Sequence, residues 1–185
     1  AELNLGDPML ANTDVGPIID ESQRQMLSSH IADMGANQKV RYAGKVPATG
    51  NFFAPHIIEL DSASALTKEV FGPVLHVVRW KARDLDKVIA AVEATGYGLT
   101  LGVHSRIEGT IQKVTEALDA GNVYVNRNMI GAVVGTQPFG GSKLSGTGFK
   151  AGGPAYLMRF AEEQVVSVNT AAAGGNASLI AIGEG

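Results

Sequence analysis

The feature that most restricts the fold is an alternation of apolar strand patterns with helical patterns between residues 74 and 126. The helical segments repeat apolar residues on one face, and Gly121 is expected to end the second of them at its C′ position. Strand, helix, strand, helix, strand at this spacing predicts an α/β fold, with a parallel sheet covered by helices and right-handed crossovers. The predicted strands are 74–80, 99–104 and 122–126, and the predicted helices are 84–94 and 108–120.

The N-terminal part contains a recognisable helix start. Asp20 is followed three positions later by Gln23, which is the spacing of a capping box and predicts a helix over residues 20–34. Shorter apolar runs and turn residues predict the remaining elements. These are strands over 40–43, 52–60 and 164–168, and short helices over 61–68 and 156–161.

Composition excludes several classes of function. The 15 basic residues do not outnumber the 18 acidic ones, so we expect no nucleic-acid partner. No apolar run approaches the ~18 residues that span a bilayer, so we expect no transmembrane segment. The four histidines are not at metal-ligand spacing, so no metal site is predicted. The sequence has no cysteine, which excludes disulfides and a cysteine nucleophile within these residues.

Glycine is abundant, and eight of the 23 glycines lie between Gly131 and Gly153. Backbone N–H groups in such a loop can approach a ligand closely, so the segment predicts a seat for a carboxylate or an oxyanion. The alternative is a long structural crossover with several tight turns. A phosphate-binding loop is disfavoured, because Ser142 separates Gly141 from Lys143 and no convincing helix follows.

A second candidate site is the acid and the aromatic residue at Glu69 and Phe71, just before Gly72 and Pro73. In an extended segment, residues two apart point to the same side. A carboxylate and a flat ring on one side could hold a pair of ribose hydroxyls and a flat heterocycle. The alternative is that Glu69 caps or pairs locally while Phe71 belongs to the core, and spacing alone favours this alternative.

Four strings of the sequence resemble the aldehyde dehydrogenase superfamily, in its C-terminal half. They are EVFGPVL (69–75), GYGLTLGVHSR (96–106), AGNVYVNRN (120–128) and PFGGSKLSGTGFKAGGPAYLMRF (138–160). Within the superfamily, they are most similar to the L-glutamate γ-semialdehyde (1-pyrroline-5-carboxylate) dehydrogenase domain of bacterial bifunctional proline utilization A. The tail TAAAGGNASL (170–179) is also similar, so the resemblance covers essentially the whole chain.

The resemblance implies an activity in proline catabolism, in the cytoplasm. The family oxidises L-glutamate γ-semialdehyde to L-glutamate with NAD⁺, after a cysteine thiolate attacks the aldehyde. By the same resemblance, Glu69 hydrogen-bonds the nicotinamide ribose and Phe71 packs beside the nicotinamide. Backbone amides of Gly141 and Ser142 would hold the substrate carboxylate, and Phe149 would line the same pocket.

The resemblance also implies how the chain is organised. Residues 1–163 would be part of the catalytic domain, 164–168 a flap strand for homo-oligomers, and 169–185 a tail that closes an internal cavity. The family's cysteine nucleophile would precede residue 1, as would most of the NAD-binding fold; the flavin-binding proline dehydrogenase domain also lies outside this sequence. We therefore expect no catalytic residue here, and activity only with the remainder of the domain. The alternative is a non-catalytic, aldehyde-dehydrogenase-like assembly or cavity-capping module.

Overall fold

The computed structural model describes residues 2–130, 133, 135–146 and 148–169. The chain divides into two compact units, and each is described by itself. The first unit comprises Ala1–Ile130 and Gly140–Gly148, and the second comprises Gly131–Phe139 and Phe149–Gly185.

The regular elements of the first unit are three α-helices and seven strands among its described residues. The helices are α1 (Glu21–Asn37), α2 (Leu85–Glu93) and α3 (Glu108–Ala117). The strands are β1 (Lys39–Ala43), β2 (His56–Leu60), β3 (Val74–Val78), β4 (Tyr97–Gly98), β5 (Thr100–Val103), β6 (Asn122–Val125) and β7 (Ser142–Lys143). Short 3₁₀ helices at Ala63–Ala65 and Ala82–Asp84 complete it.

Helix α1 begins where the sequence predicts, and it extends three residues beyond the predicted end. The Asp20 carboxylate accepts a hydrogen bond from the Gln23 backbone N–H at 2.8 Å. This bond and one from the Ser22 hydroxyl lower the pKa of Asp20. The capping box is nevertheless incomplete, because the Gln23 side chain donates to the carbonyl of Phe71 at 2.9 Å. The predicted reciprocal cap is therefore wrong in its second half.

Parallel strand pairs confirm the predicted α/β class. In the three-stranded sheet, β2 is central, parallel to β3 and antiparallel to β1. Strands β5 and β6 form a second parallel pair, and β4 pairs with β7 in antiparallel fashion. In the described residues these are three separate ladders rather than one continuous sheet. The buried apolar core of the described chain includes Leu27, Phe53, Ile58, Leu60, Val103, Leu118 and Tyr124.

Strand β3 differs from its prediction as a buried strand over residues 74–80. It ends at Val78, and Leu75 is exposed while His76 is partly covered. Successive side chains of a strand point to opposite faces, and β3 has the better cover on the face that carries His76. A run of β-branched residues predicts a strand correctly, but it does not tell whether both faces are covered.

Gly121 does not end α3 as the sequence predicts. The helix ends earlier, with Leu118 in an extended conformation as its C-cap. Gly121 is required instead by the close approach of the chain at Gly140, because a Cβ on Gly121 would lie 1.8 Å from the Gly140 carbonyl oxygen. The glycine therefore serves a contact between distant segments rather than a helix terminus.

The helix predicted over residues 61–68 is reduced to the three residues Ala63–Ala65. The sequence predicts Asp61 as the N-cap of this helix, but the N-cap is Ser62, whose hydroxyl accepts a hydrogen bond from the Ser64 backbone N–H at 3.2 Å. The prediction was wrong because several residues in this stretch could serve as an N-cap, and spacing does not rank them.

The second unit contains a 3₁₀ helix at Tyr156–Phe160, close to the predicted helix over 156–161. Phe139 and Ala151 form an isolated antiparallel bridge. Residues 164–168 are exposed and pair with no described residue, so the strand predicted there is not formed within the described part of the chain. A β-strand needs a hydrogen-bonded partner strand. The role of residues 164–168 as an oligomerisation flap stays a prediction. The predicted tail lies outside the described residues beyond Asn169.

Candidate functional site

A cleft of about 650 Å³ opens in the first unit, within the size range of small-molecule sites. The segment before β3, the end of α2, strands β4 and β5, and the turn after β7 meet around it. Its lining residues are Leu66, Thr67, Lys68, Glu69, Val70, Phe71, His76, Val92, Glu93, Thr95, Tyr97, Gly98, Leu99, Thr100, Leu101, Leu118, Asp119, Ala120, Leu144 and Ser145.

Glu69 and Phe71 both line this cleft, so the structure brings together the two residues that the sequence singles out. Phe71 is 74% exposed and so lies outside the buried core of the described residues, while its role at the site stays a prediction. Glu69 is also exposed and makes no ion pair with any residue in the described ranges. A carboxylate and an aromatic ring are therefore both accessible to a ligand in the cleft.

Helix α1 contacts the backbone of the segment that contains Glu69, Phe71 and Gly72. The Gln23 side-chain amide donates to the Phe71 carbonyl oxygen at 2.9 Å. Gly72 has a φ of +155° and rests on Leu27, which is fully buried. A Cβ on Gly72 would lie 2.6 Å from Leu27 Cδ2, so the buried Leu27 side chain would have to shift to accept it. Both the backbone conformation and the space available at this position require glycine.

Two histidines form a pair, and one of them lines the cleft. His76 lines the cleft, and its Nε2 lies 2.9 Å from Nε2 of His30 on α1. Burial lowers the pKa of both rings; the charge of Lys68 lowers the pKa of His30 further, and that of His30 lowers the pKa of His76. Because one ring nitrogen must donate and the other accept, this contact cannot hold two fully protonated imidazoles.

The turn after β7 also lines the cleft, through Leu144 and Ser145. Gly98 pairs with Ser142 across the β4–β7 ladder, and the Ser145 hydroxyl accepts a hydrogen bond from the Gly98 N–H at 3.1 Å. Lys143 forms an ion pair with Glu93, which also lines the cleft. These contacts join the glycine-rich segment to the end of α2 and to β4.

The glycine-rich residues predicted to hold a substrate carboxylate are not brought into the cleft. Gly141 is buried and Ser142 is partly buried, and neither lines the cleft, whereas Leu144 and Ser145 do. The Ser142 hydroxyl donates to the Asp119 carbonyl oxygen at 3.2 Å. The structure therefore shows a packing role for this turn, as the alternative of a structural crossover predicts, and the carboxylate-binding role stays a prediction.

Phe149 belongs to the second unit and is 46% exposed. Its predicted place beside the substrate remains a prediction. Sequence reasoning missed Gln23, His76 and Ser145 as parts of the site. Their partners lie 46 to 48 residues away in sequence, so no local spacing could have identified them. In the described part of the chain, no group of three or more histidine, cysteine or acidic residues is arranged to hold a metal ion.

Comparison with known proteins identifies the fold to which this site belongs. The model of the aldehyde dehydrogenase family matches residues 1–166. The chain belongs to the aldehyde dehydrogenase family. Within the described ranges, no helix of this aldehyde dehydrogenase chain is long and apolar enough to cross a membrane.

Two groups of relatives are most informative for this aldehyde dehydrogenase chain. The bifunctional protein PutA of Escherichia coli (strain K12) is 52% identical over 167 residues, which cover 86% of this chain and 13% of PutA. A 1-pyrroline-5-carboxylate dehydrogenase of Geobacillus sp. (strain WCH70) is 37% identical over 169 residues, covering 90% of this chain and 32% of that protein. The chain therefore spans less than a third of the length of these relatives.

Solved structures agree with this assignment to the aldehyde dehydrogenase fold. A crystal structure of a variant of Bradyrhizobium japonicum proline utilization A superposes with a TM-score of 0.85 at 58% identity, covering 92% of this chain and 18% of that one. A Thermus 1-pyrroline-5-carboxylate dehydrogenase with bound NAD gives a TM-score of 0.77 at 37% identity, covering 85% of this chain and 31% of that one.

Proposed function

We propose that this chain is part of an NAD-dependent aldehyde dehydrogenase that oxidises L-glutamate γ-semialdehyde to L-glutamate in proline catabolism. The observation that carries the proposal is the meeting of Glu69 and Phe71 in one cleft, with both side chains accessible. Membership of the aldehyde dehydrogenase family and the names of the relatives support it. The same proposal includes a cytoplasmic homo-oligomer that assembles through residues 164–168.

The residues of the cleft fit the nicotinamide part of NAD. The Glu69 carboxylate offers two oxygens that only accept hydrogen bonds, which suits a pair of ribose hydroxyls. Phe71 offers a ring face on which a flat heterocycle can pack. When bound, NAD⁺ supplies the hydride acceptor for the oxidation. In this proposal Glu69 fixes the ribose and Phe71 fixes the plane of the heterocycle, so the chain binds and orients rather than forming bonds.

The substrate side of the proposal assigns Gly141, Ser142 and Phe149 to the carboxylate of the semialdehyde. The resemblance in sequence supports this assignment, and their neighbours Leu144 and Ser145 line the cleft. Since the sequence has no cysteine, the nucleophile in this proposal comes from a segment outside it, and the chain alone is inactive. The lack of cysteine equally favours a second candidate function, a non-catalytic module of the same fold.

The test of the first function is Glu69→Gln in a complete aldehyde dehydrogenase that contains this chain. Glutamine keeps the shape of the side chain but removes the charge that strengthens hydrogen bonds from the ribose. Because a hydrogen bond to a charged group contributes about 1.5–3 kcal/mol, we expect KM for NAD⁺ to rise by about tenfold or more. The measurement is the rate of NADH formation at 340 nm at varied NAD⁺ concentrations, at about 25 °C.

The matched control is Glu116→Gln, which neutralises an exposed carboxylate on α3; among the described residues this carboxylate accepts a hydrogen bond from Gln112 alone, on the same helix. We expect this variant to keep the parent KM. An unchanged KM for NAD⁺ in Glu69→Gln would remove Glu69 from the cofactor site. If the chain combined with a cysteine-bearing remainder of the enzyme binds it tightly but yields no NADH, the non-catalytic function is the correct one.

A further inference from the structure

The Gln23 side chain makes a contact that its own helix does not require. It lies in the first turn of α1, where a capping box would direct it to the Asp20 backbone N–H. Instead its amide donates to the Phe71 carbonyl oxygen at 2.9 Å, across 48 residues of sequence. Gln23 is partly buried, whereas the hydrogen bond itself lies at an exposed position. Its hydrogen-bonding capacity therefore serves the cleft segment rather than the helix terminus.

A second contact from the same face of α1 holds the next residue of the segment. Leu27 lies one helical turn after Gln23, so the two side chains are neighbours on the helix surface. Gly72 rests against Leu27 so closely that a Cβ would be 2.6 Å from Cδ2 and 2.8 Å from Cδ1. The helix thus contacts the consecutive residues Phe71 and Gly72 with one hydrogen bond and one apolar contact.

The segment has little other support. In the described part of the chain, the bond from Gln23 is the only hydrogen bond to the backbone of residues 67–71. The side chains of Glu69 and Phe71 are exposed in the cleft, so they do not anchor the segment by burial. A backbone held by a single directional contact takes its position from the residue that supplies that contact.

We infer that Gln23 is a positioning residue for the cofactor-binding segment, an inference that rests on the proposed function of Glu69 and Phe71. The Gln23 amide fixes the Phe71 carbonyl, and this sets the direction of the Phe71 ring and of the Glu69 carboxylate two residues earlier. Without the amide, the segment keeps its residues but loses the arrangement that suits the ribose and the heterocycle. Affinity for NAD⁺ falls, while sites elsewhere in the enzyme are unaffected.

The experiment compares side chains with and without an N–H donor at this position in the complete enzyme. Gln23→Met has the same length and a high helix propensity but no donor. Gln23→Glu has the same shape and presents a carboxylate to the carbonyl. Gln23→Lys restores a donor on a flexible chain and should recover affinity. The matched control is Gln25→Met, because Gln25 lies on the same helix and, within the described residues, donates to Glu21 alone.

We expect KM for NAD⁺ to rise by about three- to tenfold in the Met and Glu variants, as the loss of one hydrogen bond implies. KM for the aldehyde should stay at the parent value, as should the thermal midpoint relative to Gln25→Met. The Lys variant should return KM for NAD⁺ to within about twofold of the parent value. Direct titration of NAD⁺ binding should give the same order of affinities.

Two results would overturn the inference. One is a KM for NAD⁺ in Gln23→Met equal to that of Gln25→Met. The other is a parallel rise of both KM values with a lowered thermal midpoint, which would indicate general loosening. If the Met variant does not fold, the comparison of the Glu and Lys variants decides in the same way. Glu69→Gln separates the two proposals. No effect in that variant removes Glu69 from the cofactor site, as stated for the proposed function, whereas an effect there without one at Gln23 refutes only the inference.

Discussion

Replacing Gly121 by alanine tests how closely the glycine-rich segment packs on the rest of the first unit. The Cβ of this alanine would lie 1.8 Å from the Gly140 carbonyl oxygen and 2.7 Å from Gly141 Cα. Both neighbours are backbone atoms, so neither can rotate away. The φ of Gly121 is outside the left-handed region, so the substitution carries a steric cost without backbone strain.

The size of the effect follows from the contacts that must move. Real Cβ contacts almost never fall below 3.0 Å, so the Gly140 peptide must shift by about 1.2 Å. That shift would break the 3.2 Å hydrogen bond from the Gly140 N–H to Asn122 Oδ1. Overpacking costs about 1–3 kcal/mol and a lost hydrogen bond about 1 kcal/mol, so we expect Gly121→Ala to lower the free energy of unfolding by about 2–4 kcal/mol.

The assay is the thermal unfolding midpoint of the complete enzyme, followed by fluorescence. The control is Gly109→Ala on α3, where a Cβ meets nothing within 4 Å and alanine favours the helix by up to about 1 kcal/mol. The midpoint should fall for Gly121→Ala and stay equal or rise for Gly109→Ala. Equal midpoints for the two variants would show that the segment does not pack on Gly121, and the described approach of the two segments would be incorrect.

Two further predictions concern α1. Burial holds the pKa of His30 and His76 in the folded chain below the ordinary 6.5, so the unfolded chain takes up protons first as the pH falls. The two histidines should therefore leave the free energy of unfolding unchanged above about pH 6.5 and lower it as the pH drops below that value. Thermal midpoints at about pH 7.5 and about pH 5.5 should show this loss, and His76→Gln should reduce it; an equal loss in that variant would contradict the assignment. Leu27→Ala should lower the free energy of unfolding by about 2–5 kcal/mol in urea denaturation, because Leu27 is fully buried. Ile19→Ala, at an exposed position, should change the free energy of unfolding by less than about 0.5 kcal/mol. Equal losses in Leu27→Ala and Ile19→Ala would refute the argument from burial.

Local sequence rules correctly predict the start of α1 and the parallel pairing of β5 with β6, but they do not predict the parallel pairing of β2 with β3. The Asp20 cap depends on atoms three residues apart, and the strand and helix patterns depend on windows of about ten residues. The same rules mislead at Gly121, where glycine after a helix pattern indicates a C-terminus although its role comes from a segment about 20 residues later. The strand predicted over residues 164–168 is not formed in the described residues for a related reason. A β-propensity pattern does not show whether a partner strand is available.

The candidate site shows the same division between local and distant information. The spacing of Glu69 and Phe71 alone favours local pairing and core packing, and only the resemblance in sequence raises their predicted role at a cofactor site; in the structure both residues line the cleft. The sequence could not show that Gln23 contacts Phe71 or that His30 contacts His76, because these contacts span more than 45 residues. It also could not show that Ser145 lines the cleft while Gly141 does not, because glycine content alone does not reveal which amides are buried.

The exposed ring of Phe71 has a thermodynamic consequence for whatever occupies the cleft. Most of its surface is in contact with water, and a flat ligand packed on it would release that water. Covering apolar surface makes the heat-capacity change of association negative. Calorimetric heats of binding at this cleft should therefore become more exothermic as the temperature rises, and the slope should shrink when a smaller aliphatic side chain replaces the ring.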